Sequence, residues 1–433
     1  EIYTLSLHDA LPISILGDNS TISCCEVLHN LIFPAHEQHH NNSFLIAACV
    51  KGQSNMAAGA TIGSNHNSRT NDNEVEAGRG FWPGLCTSVK HSCKFASYTL
   101  LAKADYPAEL NIPLPFSLLS NNAKEDRLEV APGFWWCHNM YALARNNWKY
   151  KTRDKRITKT QNIEFDTFAP DSMEEVIQGR ELLELWTAKA WYRKENKPFD
   201  KLKDEQLRAK GRELLEGDSK TVDELEVLGE NMEKSKRDVL IRKPWRAYHA
   251  YGDMLVHYAV MNAMDYIEVN PGETLTSMSA FLKSRRQREW VNLGGQLMMT
   301  TEFDRLRADI KSGKLANWKD IHKRYNDIWR RYPVDKLRHA YLSLCCLLGV
   351  DKMDATLWQK AIDEEVRIQR YICDEVYRTR KKDHDNPFRQ ATYRNAEEMT
   401  AAIGQLEDNS FVKQIRTETE VNLRRLEELR LRI

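Results

Sequence analysis

The chain has 433 residues, of which 42% are hydrophobic and 29% charged, the balance of a folded globular protein too long for one small core. Its 63 basic and 62 acidic side chains nearly cancel, so no nucleic-acid-binding surface and no polybasic membrane anchor is expected. No apolar run is long enough to span a bilayer, so no membrane span is expected either.

In chain order, residues 1–13, "EIYTLSLHDALPI", resemble translated sequencing-adapter read-through. They are set aside as a non-native segment, and the ordered part is expected to lack its own N-terminal end. Residues 14–122 are rich in Asn, Gly, Ser, Thr and His with isolated aliphatics. A six-residue period runs through Leu16, Ile22 and Leu28, then Phe44, Val50, Met56 and Ile62, then Ala77, Pro83, Val89, Phe95 and Leu101. One inward aliphatic per six residues, with small residues at corners, is the pattern of a three-sided coil. Stacked coils bury an apolar column that no single coil can bury. The first two runs are out of phase, so "HNLIFPAHEQHHNNS", residues 29–43, is expected to loop out of the column. A second interruption, "SRTNDNEVEAGRG", is turn-like.

Residues 123–170 read as a connecting arm and helix. "FWWCHNMYALARNNWKY", residues 134–150, predicts a helix whose Trp135, Trp136, Tyr141 and Trp148 pack between domains. From residue 171 to 433 the pattern is helical. Ser172 with Glu175, and Thr221 with Glu224, have capping-box spacing. Pro244 opens a helix to about Glu268. Asp354–Lys382 carries an apolar stripe. Val412, Ile415, Thr419, Asn422, Leu426, Leu429 and Ile433 follow a three-four spacing, with Thr419 and Asn422 as weak points, and should pack on neighbouring helices. The fold class expected is therefore α+β multidomain, a parallel β-helix followed by a mainly α-helical domain.

Several residues could carry chemistry. His66 follows a good hexapeptide in "AAGATIGSNHNSR", flanked by Asn65, Asn67 and Arg69. A near-neutral imidazole suits a general base, the amides suit substrate hydroxyls, and the guanidinium suits a phosphate. His36, His39 and His40 are alternative bases. With Glu37 they are dense, but "HEQHH" has no metal-motif spacing, and no metal site is assigned. Arg79 and Trp82, within the glycine-rich "AGRGFWPGLC", are further substrate-binding candidates, although coil corners need such glycines anyway. His249, Asp253 and His257 share one helix face and read as buried hydrogen-bonded residues. Nine cysteines in no metal or redox spacing read as free thiols of a reducing cytoplasm.

At "GDNSTISCCEVLHNLIFPAHEQHHNNSF", "AAGATIGSNHNSR" and "AGRGFWPGL" the chain resembles an uncharacterised bacterial family with a hexapeptide-repeat solenoid and a helical C-terminal region. More distantly the solenoid resembles those of acyltransferases and nucleotide-sugar pyrophosphorylases. The resemblance implies a left-handed β-helix, a homotrimer, and acyl transfer from an acyl-CoA to a nucleotide sugar or similar small polar metabolite. The alternatives are a non-catalytic oligomerisation or regulatory scaffold, or the solenoid part of a pyrophosphorylase-like protein.

Overall fold

A computed structural model describes residues 14–63, 74–154 and 156–433. The inward aliphatics of the first part stack as a parallel β-solenoid. One sheet orders six strands, Ile15–Leu16, Leu31–Ile32, Ala48–Val50, Val75–Ala77, Lys94–Phe95 and Asn111–Ile112. A second runs through Cys25–Leu28, Ser43–Ile46, Thr61–Ile62, Ser88–Val89 and Asp105–Tyr106. The third carries Trp82–Pro83, Leu100–Leu101 and Leu118–Asn122. Ile32 sits beside Val50, Ala77 beside Phe95 and Leu101 beside Leu119, each pair eighteen positions apart, which is three faces of six. All six of these side chains are buried.

Residues 29–43 are not looped out. They form a complete coil, with Leu31–Ile32 and Glu37–Gln38 in register with their neighbours. The apparent phase break arises because Val27 and Leu45 stack over one another, so the column does not run through Leu28 and Phe44. Faces of five, six and seven residues then sum to the same coil. The expansion lies further on, where Val50 pairs with Ala77 and Ile62 with Val89, each twenty-seven positions apart.

The corners explain the spacing. Ala35, Gln53, Gly80, Tyr98 and Phe116 all have left-handed backbone and fall at equivalent positions of successive coils. Only Gly80 meets that geometry without a side-chain penalty, and it must, because a Cβ there would lie 2.3 Å from the Tyr98 ring. Tyr98 and Phe116 then stack at 4.9 Å between ring centres.

The solenoid ends in an antiparallel strand, Arg127–Ala131, and a strand of the helical region, Val239–Ile241, pairs in parallel alongside it. Helices follow as α1 (Phe134–His138), α2 (Met140–Thr152), α3 (Pro170–Lys194), α4 (Asp204–Glu216), α5 (Ser219–Asp223), α6 (Pro244–Val269), α7 (Leu275–Phe281), α8 (Thr300–Lys311) and α9 (Trp318–Leu348). Then come α10 (Ala355–Asp385), α11 (Pro387–Gln390), α12 (Ala396–Ile403) and α13 (Ser410–Arg430). No helix among the described residues is long and apolar enough to cross a membrane.

Two expected caps move. α3 starts at Pro170, so Ser172 stands in its first turn, where its hydroxyl accepts the Ala169 N–H at 3.2 Å, and Glu175 accepts the Ser97 N–H at 2.8 Å. Asp218, not Thr221, caps α5. Asp354 caps α10, and α13 packs on α10 as its apolar stripe requires.

One apolar cluster runs through both parts. Its polar clasp is Arg79, which is 2% exposed and makes a bidentate pair with Asp171 at 2.8 and 2.7 Å. Arg79 also donates to Gln53 Oε1 at 3.1 Å and to the Asp166 carbonyl at 2.7 Å. Burial opposes charge on Asp171, yet the guanidinium holds its carboxyl below the usual range. Removing the carboxylate would strand a buried cation, so Asp171→Ala should cost about 3 kcal/mol or more in a urea titration of the whole chain.

Candidate functional site

The expected solenoid residues take separate roles. His36 is fully buried inside the coil, with Nδ1 2.8 Å from Ser54 Oγ and Nε2 3.0 Å from Gln38 Oε1. Both ring nitrogens are spent, one on the next coil at Ser54 and one within its own coil at Gln38. Burial, only partly opposed by the Gln38 bond and the Glu37 charge, lowers its pKa to about 4. His39 and His40 are exposed, with ring centres 4.5 Å apart. Arg79 is committed to Asp171, and Trp82 packs half-buried on Trp135 at 5.5 Å. Asn65, His66, Asn67 and Arg69 lie outside the described residues. Among the described residues no group of three or more His, Cys, Asp or Glu side chains is placed to hold a metal ion.

His36 has a consequence for acid stability. The unfolded histidine takes a proton below pH 6.5, whereas the folded one stays neutral down to about pH 4. Stability therefore falls as the pH drops through that window, by up to about 3 kcal/mol. His36→Gln should flatten this part of the pH–stability curve measured by urea unfolding.

A different site assembles in the helical region. Arg79 and Gln53, from the solenoid corner, hold the segment 164–168 by its backbone, the latter through a 3.2 Å bond to the Glu164 carbonyl. Lys336 of α9 grips the same segment at Glu164 (2.9 Å) and Asp166 (2.6 Å), and Tyr332 donates to Glu164 at 2.5 Å. Pinned in this way, Phe168 lies edge-on to His257 of α6 at 5.4 Å and against Trp136 of α1 at 5.8 Å.

These rings form part of the wall of a cavity of about 300 Å³ between α2, α6, α10 and α13. That is the lower end of small-molecule site volumes. His257 Nδ1 sits 2.8 Å from Glu365 Oε1, and Gln369 Nε2 donates to the same oxygen at 2.7 Å. Asn422 donates in turn to Gln369 Oε1 at 3.2 Å. The Glu365 side chain is fully buried, while that of His257 keeps 16% exposure. Trp136 Nε1 and Asn147 Oδ1, both on cavity-lining residues, are buried with no hydrogen-bond partner among the described residues. Buried polar atoms seldom stay unpaired without a reason.

His249 and Asp253 do not join this site. His249 bonds the Leu215 carbonyl at 2.9 Å, and Asp253 pairs with Arg367. The aromatic helix 134–150 breaks at Asn139 into α1 and α2. Trp135 and Tyr141 pack as expected, the latter on Phe411 at 5.4 Å, but Trp136 and Trp148 also line the cavity.

Over 397 residues this chain is 44% identical to an uncharacterised protein of Treponema pallidum (strain Nichols). The aligned part covers 91% of this chain and 53% of the relative. The chain thus spans about half the length of the relative it matches. No family model matches it, and neither does a solved structure.

Burial works against a charged His257, and the Glu365 carboxylate more than offsets it, so the imidazole pKa stands above its usual value. The stability this pair contributes is present below pH 6.5 and is lost as the pH rises through the folded value. Glu365→Gln should move the His257 midpoint downward in an NMR titration; an unmoved midpoint would remove the pairing.

Proposed function

We propose that the protein is a transferase-like enzyme on a β-solenoid scaffold, binding a hydroxylated ring such as a sugar in the four-helix cavity. His257, oriented by Glu365, removes the proton from the acceptor hydroxyl. The observation that carries this reading is the His257–Glu365 pair opening on a cavity walled by aromatic rings. A carboxylate on Nδ1 fixes the ring and stabilises the imidazolium that forms, leaving Nε2 for the substrate. The half-buried Trp148 indole in the cavity wall suits the C–H face of a sugar.

A second reading places acyl transfer on the solenoid, as the resemblance to hexapeptide-repeat acyltransferases implies. The base would be His66, His39 or His40, with Asn65, Asn67 and Arg69 holding the acceptor, an acyl-CoA as donor, and a homotrimer completing the site in the cytoplasm. The spacing of twenty-seven positions between Val50 and Ala77, against eighteen between Ile32 and Val50, favours it, and His66 falls within that stretch of the sequence. Long excursions from a rigid scaffold are common places for function.

A thermal-shift panel of nucleotide sugars and acyl-CoAs tests both. A bound ligand at a hundred times its dissociation constant stabilises by about 2.7 kcal/mol. Under the first reading Trp148→Ala abolishes the nucleotide-sugar shift, and His257→Ala abolishes turnover while keeping it. Loss of turnover in His66→Ala alone favours the second. No shift with either class leaves the scaffold reading.

A further inference from the structure

A second cleft, of about 230 Å³, lies between α3, α4, α6 and the C-terminal end of α9. Its charged groups are arranged unequally. Glu184 of α3 is fully engaged, accepting from Arg212 at 3.0 Å, Arg208 at 3.3 Å and the Tyr248 hydroxyl at 2.9 Å. Glu181 pairs with Arg208 at 3.0 Å. Arg180 has no such partner: among the described residues no carboxylate stands within ion-pair distance of it. Its guanidinium lies over the Tyr248 ring at 3.6 Å and donates one N–H to the Tyr248 carbonyl at 2.6 Å.

The fold also makes room for that guanidinium. Gly252 sits in the interior of α6, where glycine is less favourable than alanine. A Cβ there would lie 3.1 Å from Arg180 Nη1. An arginine stacked on a tyrosine and cleared by a glycine is a planar donor fork held ready for a carboxylate.

The same cleft also carries groups of the opposite polarity, and the Glu216 charge acts on the Arg180 guanidinium. The chain turns at Gly349, whose N–H bonds the Cys346 carbonyl at 3.3 Å, while that of Val350 bonds Cys345 at 3.0 Å. The carbonyls of Leu347 and Leu348 are left as the open negative end of α9, and Glu216 of α4 faces the same space. The aliphatic part of the lining comes from Ile177, Leu255, Leu347 and Leu348.

We propose that this cleft binds a small aliphatic zwitterion, an α-amino acid of the leucine type, with its carboxylate on Arg180 and its ammonium toward Glu216 and the end of α9. The site is independent of the His257 cavity, and its ligand does not depend on the reaction assigned there.

Calorimetric titration of the full chain with four probes tests the assignment: L-leucine, leucinamide, isocaproate and inorganic phosphate. L-leucine should bind, and leucinamide and isocaproate, each lacking one charge, should bind at least about tenfold more weakly. Arg180→Gln should abolish L-leucine binding. Glu216→Gln, at an exposed position that leaves the packing intact, should weaken L-leucine without changing isocaproate. Absence of L-leucine binding at millimolar concentration overturns the proposal. So does leucinamide binding equal to that of L-leucine, phosphate binding tighter than L-leucine, or an unchanged L-leucine affinity in the Glu216 variant.

Discussion

The pair between Arg79 and Asp171 is the constraint on which the arrangement of the two halves depends. A guanidinium in an apolar corner is tolerable only if a carboxylate meets it in two-pronged geometry. That carboxylate stands in the first turn of α3, where negative charge is also favoured by the helix dipole. One ion pair therefore sets where α3 begins relative to the coils. Gln53 and Tyr98, one coil to either side of Arg79, complete the clasp through a 2.7 Å bond between them.

From that clasp the order propagates toward the cavity. The segment 164–168 is too short and too polar to hold a shape alone, and it is fixed by donors from the solenoid on one side and from α9 on the other. The precision needed to orient an imidazole is thus supplied by rigid neighbours, as functional sites require. The solenoid in this arrangement is a foundation for the helices.

The β-solenoid was legible in the sequence because the physics of one inward side chain per face repeats. Ala77, Pro83, Val89, Phe95 and Leu101 stack as their spacing predicts. The earlier coils are harder to read because Val27, Ile32, Gln38 and Leu45 divide the same eighteen positions unequally, and because a buried glutamine, Gln38, takes the place that Ile22 fills one coil before. Composition had marked His36 as reactive, since exposure cannot be read from a single coil. The His257–Glu365 pair was out of reach for a simpler reason: its members are 108 positions apart on different helices. The signal available was the polar interruption of an apolar stripe by Thr419 and Asn422, which proves to be cavity wall.

The strand Val239–Ile241 lies more than a hundred residues beyond the last coil, yet it hydrogen-bonds directly to the closing strand of the solenoid. Cutting the chain anywhere between them would bare a row of unsatisfied amides and carbonyls along the strand Arg127–Ala131, an invitation to intermolecular pairing. The boundary that composition draws near residue 122 is therefore not a seam along which the molecule can be divided. During synthesis the coils cannot be sealed until residue 241 has left the ribosome, so the nascent solenoid must wait with one margin open.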